Sequence, residues 1–145
     1  AFKTGVEFSW TQRLLHEVQQ QISLAYTCAQ DLEREQPLPE IAPLDLRYTL
    51  SGNFMEGKLK PELVFRQVLR QNRIAAEYGE TETPSFSLLN LQTTYVPSEN
   101  TRFTLGINNL LDTNYYEHLN RSVSGSINPI YAPGRNVFAS VNFTL

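Results

Sequence analysis

Few residues of this chain combine type and spacing in a way that could do chemistry. The stretch YYEHLNR, Tyr115 to Arg121, sets two phenols beside a carboxylate and an imidazole, so Glu117 and His118 could touch a metal ion or a metal complex. A metal centre needs a converging set of donors. One Glu and one His do not supply it, so the stretch reads first as a solvated loop, and neither a metal site nor a cofactor is expected. The other histidine, His16, falls in a short turn. Cys28 and Met55 fall at opposite strand ends and make no copper-type pair, and a single cysteine excludes an internal disulfide. No nucleophile elbow or comparable arrangement is present, so the chain is not expected to be an enzyme. Polar and aromatic side chains in the long connections remain. Binding residues concentrate on loops held by a rigid scaffold, which makes Arg73, Tyr78, Tyr115, Glu117 and His118 the candidate ligand contacts.

The elements that must hold those loops are strands. Phe2, Thr4, Val6, Phe8 and Trp10 alternate with Lys3, Gly5, Glu7, Ser9 and Thr11 in a first strand over 1–11. Successive strand side chains point to opposite sides, so each such run has one apolar and one polar face. Further strands are expected at about 17–27, 44–54, 59–71, 86–95, 102–108 and 136–145 on the same alternation. The fourth is the least regular, with Val64 and Val68 among its charges. A bulge or a locally apolar interior would account for that. The one helix-like window, Leu15 to Leu24, keeps a two-residue period through Ile22, Leu24 and Tyr26 and reads as strand. The Pro-rich, acidic stretch Ala29 to Pro43 cannot be a central strand. Connections run short, long, short, long, short, long. The fold class is therefore all-β, an antiparallel up-and-down meander with every short turn at one end.

Composition bounds the function. Twelve cationic against fifteen anionic side chains leave a net charge of −3 over 145 residues, too weak to argue for nucleic acid. No run of about 18 apolar residues exists, so no transmembrane helix is expected. Transmembrane strands escape that test, because only alternate residues need be apolar. Two features favour the membrane over a soluble sandwich. The polar faces carry Glu7, Gln19, Gln21, Arg47, Asn53, Arg66, Asn90, Gln92 and Asn142, which suits a hydrated lumen. The apolar faces carry Trp10, Tyr26, Phe54, Tyr95 and Phe103 near strand ends, where rings concentrate at membrane interfaces. An open sheet of seven strands leaves unpaired edges in hydrocarbon, so more strands upstream of Ala1 are expected.

The stretch NNLLDTNYY (Asn108 to Tyr116), then PGR (Pro133 to Arg135) and the terminal strand, closely resembles the end of TonB-dependent outer-membrane receptors. PLPEIAPLDLRY, Pro37 to Tyr48, resembles a Pro-rich loop and strand of the same family. The resemblance implies the C-terminal segment, 1–145, of a barrel of about 22 strands, with the plug domain and TonB box elsewhere. It implies a Gram-negative outer-membrane location and active uptake of a scarce nutrient such as a siderophore, haem, cobalamin or copper complex. Implied partners are membrane lipid, the barrel assembly machinery, TonB through the absent N-terminal part, and a small-molecule ligand. Asn108, Asn109, Asp112 and Tyr116 would belong to the family motif, the Asn and Asp side chains organising the last long loop. Gly134 would supply permissive backbone, and Arg135 would pair with an acidic group of the wall. Val141, Phe143 and Leu145 would match the assembly signal, with Leu145 standing where Phe is usual.

Two other classes predict different behaviour. A passive porin-type barrel has no plug or TonB box upstream, and a soluble β-sandwich binding module folds in water. Residues 1–145 expressed alone are expected to aggregate without detergent, because a lipid-facing surface and two free edges would meet water. A soluble monomer with a cooperative unfolding transition on a circular-dichroism melt would favour the sandwich.

Overall fold

The backbone ladder joins the alternating strands into one continuous surface. In the computed structural model, which describes residues 1–120 and 129–144, the strands are β1 (Phe2–Leu15), β2 (Val18–Asp31), β3 (Gln36–Pro37), β4 (Asp45–Gly52), β5 (Leu59–Val68), β6 (Phe86–Ser98), β7 (Thr101–Asn108) and β8 (Asn136–Phe143). Seven pair antiparallel in the order β1-β2-β4-β5-β6-β7-β8, and the two-residue β3 adds to β2 beyond the start of β4. Directly opposed residues of an antiparallel pair share a face. Trp10, Ile22, Tyr48, Phe65 and Leu89 therefore form one row, and Leu50, Leu63, Leu91, Ile107 and Val137 form the next. On the opposite face Gln19, Ser51, Glu62 and Gln92 run in register, tied by a Gln92 to Glu62 hydrogen bond of 2.9 Å.

Burial is the reverse of a soluble protein's. On the apolar face Val6, Leu105 and Val137 are 60%, 60% and 68% exposed. The buried apolar side chains Val68, Phe86 and Leu88 cluster on the polar face, where the loops fold over it. Water cannot be the intended solvent of so large a contiguous apolar surface. Hydrocarbon can, because the strands between the two edges, β1 and β8, pair on both sides within the sheet. Among the described residues no helix is long and apolar enough to cross a membrane. Spanning falls to the strands.

The expected strands are present, with shifted bounds. β1 continues to Leu15 and β2 to Asp31, so the first turn shrinks to His16 and Glu17. The extension hides because its outward positions are Gln12 and Gln20, which hydrogen-bond each other at 2.9 Å instead of carrying an apolar signal. Ala29 to Asp31 thus belongs to β2, and the Pro-rich connection begins later than its composition indicates. Trp10 stands further inside its strand for the same reason. The Leu15 to Leu24 window is strand and turn, without helix. β5 pairs without a break from Leu59 to Val68, so its irregular pattern reflects an apolar interior at Val68 and not a bulge. Phe138, an aromatic on the polar face of β8, lies over Gly106 directly opposite. A Cβ on Gly106 would stand 2.4 Å from that ring, so the ring fills the space that the glycine leaves.

The two faces make a paired test in the full-length protein. Leu91→Arg, midway along β6 and outward, is expected to cost about 2–4 kcal/mol of folding stability, whereas its inward neighbour Gln92→Arg, beside Glu62, is expected to cost clearly less. Urea titration of the refolded barrel in lipid vesicles measures both. Equal costs would contradict the face assignment.

Candidate functional site

Arg66 projects from β5 onto the polar face just below the long-loop end. Its Nε donates to Asp45 Oδ2 of β4 at 2.8 Å, and its Nη2 lies 2.7 Å from the same oxygen. Its other edge reaches Glu117 of the last long loop, Nη1 to Oε1 at 2.5 Å and Nη2 to Oε2 at 3.3 Å. The guanidinium also lies 5.6 Å from the centroid of Phe86. A planar fork with donors on two edges can bridge wall and loop in this way; a lysine ammonium cannot. The three side chains are 21–31% exposed, so the attraction is only partly screened. Tyr115 packs on Phe86 with centroids 4.5 Å apart. Burial, and then the nearby Glu117 charge, raise the Tyr115 phenol above its ordinary range.

One residue further on, His118 turns into the protein. It is 2% exposed, with Nδ1 2.8 Å from Thr83 Oγ1 and Nε2 3.6 Å from Glu80 Oε1. The Glu80 carboxylate accepts the backbone N–H of Ala75 at 2.7 Å and of Glu40 at 2.6 Å. Glu80 thereby gathers all three long connections: its own, the Pro-rich one through Glu40, and the last through His118. Gln71 adds a second tie to the Pro-rich loop, Nε2 donating to Ile41 O at 2.7 Å. Reading YYEHLNR as a solvated loop therefore needs correcting at His118, whose burial depends on partners distant in sequence.

A recess of about 390 Å³ opens on the lumen side, lined by Asp45, Arg66, Glu117, His118 and Asn120 with small side chains of β2 beside them. Its walls carry one guanidinium and two carboxyl groups, a surface suited to hydrogen-bonding a polar ligand. Among the described residues no group of three or more His, Cys, Asp or Glu is placed to hold a metal ion.

The family-motif residues lie where the last loop leaves and rejoins the sheet. Asn108 Nδ2 donates to Asn136 Oδ1 at 3.2 Å across the final strand pair. Asn109, buried and at φ 51°, donates its N–H to Asn90 Oδ1 at 2.8 Å. Its side-chain amide closes both groups of Thr113, at 2.9 Å each. Asp112 Oδ1 accepts the N–H of Arg135 at 2.9 Å, and its Oδ2 lies 3.7 Å from Arg135 Nη2. The acidic partner of Arg135 is thus in the loop, not on the barrel wall. Gly134 does not have a left-handed φ. A Cβ there would stand 3.1 Å from Asp112 Oδ1, and this close approach is what favours glycine after Pro133. Tyr116 meets Tyr131 edge to face at 5.4 Å, beside the Ala132 to Tyr115 backbone hydrogen bond.

Of the five candidate ligand contacts, Tyr115, Glu117 and His118 come together at the lumen-side root of the loops. Tyr78 is apart and exposed, its hydroxyl accepting from Arg34 Nη1 at 3.2 Å. Arg73 lies elsewhere again, lining a second recess with Tyr26 and Leu69. Val141 and Phe143 face outward on β8 and are exposed, while Leu145 and Arg121 lie outside the described residues. Arg66, Asp45, Glu80 and Thr83 were not singled out from sequence. Only Arg66 carried a signal, a charge flanked by the inward valines Val64 and Val68.

No family model matches the sequence, and no curated protein matches it. Solved structures do. The copper transporter OprC superposes at a TM-score of 0.87 with 27% identity, covering 97% of this chain and 23% of its own length. The FrpB iron transporter of Neisseria meningitidis, F3-3 variant, gives 0.77 with 18% identity over 97% of this chain and 23% of its own. A mutant of the ferric enterobactin receptor PfeA from Pseudomonas aeruginosa gives 0.71 with 19% identity over 96% and 22%. This chain spans under a quarter of the length of each.

Replacing Glu117 by Gln removes one charge from the Arg66 fork while keeping the shape. The expected loss is about 1–3 kcal/mol of loop anchoring. Hydrogen exchange in the full-length protein should accelerate over 109–120 with the strands unaffected. Faster exchange across β4 to β6 as well would mean that the fork holds the sheet together and not only the loop.

Proposed function

We propose that this chain, which is part of the β-barrel of a TonB-dependent outer-membrane receptor, serves the active uptake of a scarce metal chelate: a ferric siderophore, haem, cobalamin or a copper complex. The observation that carries the reading is the inverted sheet, apolar and exposed outward, polar inward, with three long connections tied together at one end. A rigid wall carrying interlocked loops is suited to capturing a ligand by shape and hydrogen bonds without covalent chemistry. The copper, iron and ferric enterobactin proteins that resemble it by structure support the ligand class. In this reading residues 1–145 close the barrel as its C-terminal segment. The lumen-side residues Arg66, Tyr115 and Glu117 line the ligand's path, and Val141, Phe143 and Leu145 present the assembly signal. Coupling to TonB belongs to a plug elsewhere in the protein, which inner-membrane energy displaces.

The test is uptake by cells making the full-length receptor as their only candidate importer, offered radiolabelled chelates one at a time, with and without TonB. Accumulation of one chelate that disappears without TonB is the expected result. Equal uptake in both backgrounds would identify a passive channel instead.

A further inference from the structure

The wall has a second recess, back to back with the lumenal one. Past Ala25, β2 has lost β4 as its neighbour, and the Pro-rich connection leaves a groove of about 160 Å³ between β2 and the residues after β5. Its apolar floor includes Tyr26, Pro43, Leu44 and Leu69. Tyr26 shares the outward face with Val6 opposite it, and Tyr26 and Leu69 are 39% and 46% exposed. Arg70 and Arg73 line the groove at the end nearer the loops. This polarity matches the boundary of a bilayer, acyl chains against the floor and cations at headgroup level, where aromatic and long cationic side chains are at home.

The backbone that carries the cations is held in place. Gln71, buried between them, pairs its backbone with Thr83 and donates its side chain to Ile41 O, while its Oε1 accepts the N–H of Arg73 at 3.1 Å. Arg70 is matched by Glu82. Arg73 has no ion-pair partner among the described residues. The groove therefore offers one uncompensated guanidinium above an apolar floor. The complementary occupant is amphipathic and anionic.

We propose that this groove binds the phosphate-bearing headgroup of an outer-leaflet lipid, with Arg73 as its main contact, Arg70 assisting, and an acyl chain along Tyr26 and Leu69. The leaflet follows from the position at the long-loop end, since long loops of such barrels are extracellular. The assignment rests on the outer-membrane reading above. A guanidinium fork suits phosphate oxygens, and a cation at a membrane surface contributes about a five-fold gain in affinity for anionic lipid.

Native mass spectrometry of the full-length receptor, delipidated and titrated with diphosphoryl lipid A or its phosphate-free counterpart, tests this. One molecule of diphosphoryl lipid A is expected to be retained in preference to the phosphate-free form. Arg73→Gln is expected to weaken retention about five-fold, and Arg73→Lys to restore most of it. Heat-modifiable migration checks that each variant is folded. Unchanged retention in Arg73→Gln, or equal retention of the phosphate-free lipid, overturns the proposal. So does displacement by millimolar inorganic phosphate, which would make the site one for free anions. If these negatives occur in a receptor that still fractionates with the outer membrane and imports its chelate, the lipid site alone fails. A receptor missing from outer-membrane fractions overturns the reading beneath it.

Discussion

Hydrocarbon offers no partner to a peptide N–H or C=O, and that constraint organises this chain. Where the backbone crosses the membrane, every strand must pair with its neighbours, and the only locally available neighbours are the preceding and following strands. A meander results. Pairing fixes register, and register stacks Trp10, Ile22, Tyr48, Phe65 and Leu89 into one row facing lipid. The polar residues between them are sent inward by the same step. The sheet thus acquires a lumen wall as a consequence of satisfying its backbone.

Beyond the ends of the strands, side chains take over that bonding. Asn109 accommodates a left-handed backbone and satisfies both groups of Thr113. Glu80 accepts two backbone N–H groups from different loops. Gln67 donates to the carbonyls of Val68 and Phe86, closing the ladder where β5 and β6 end. Each substitutes a side-chain partner for the missing strand neighbour. Connections that composition alone would label loops become an ordered layer. The apolar cluster Val68, Phe86 and Leu88 then lies beneath them on a face that is otherwise polar.

This division sets what the sequence could disclose. Alternation is local, so all seven long strands were legible, as was their short and long rhythm. The bounds failed where outward positions turned polar, as at Gln12 and Gln20. The site failed more widely. Asp45 and Arg66 meet across the β4–β5 pair, 21 positions apart, and Glu117 reaches Arg66 from a loop 51 positions on, and no periodicity reports on such pairings. His118 looked solvated because Thr83 and Glu80, which enclose it, lie in a stretch with no pattern of its own. The NNLLD and PGR stretches were legible as motifs. Their physical link, Asp112 accepting from Arg135 and lying close against Gly134, was not.

The two recesses follow from one local event. β4 begins only at Asp45, opposite Ala25, while β2 runs on to Asp31, so part of the wall there is Pro-rich loop instead of paired strand. Proline can replace strand at this point because it has no N–H to leave unpaired, and Pro43 borders both recesses. On the lumen side Asp45, at the end of β4, gains room to meet Arg66. On the other side the lost strand leaves the outward face of Tyr26 and Leu69 uncovered beside Arg73. A wall interrupted there places a charged recess and an amphipathic one on either side of the same Pro-rich segment. Both sit near the Pro-rich loop that Glu80 and Gln71 hold in place.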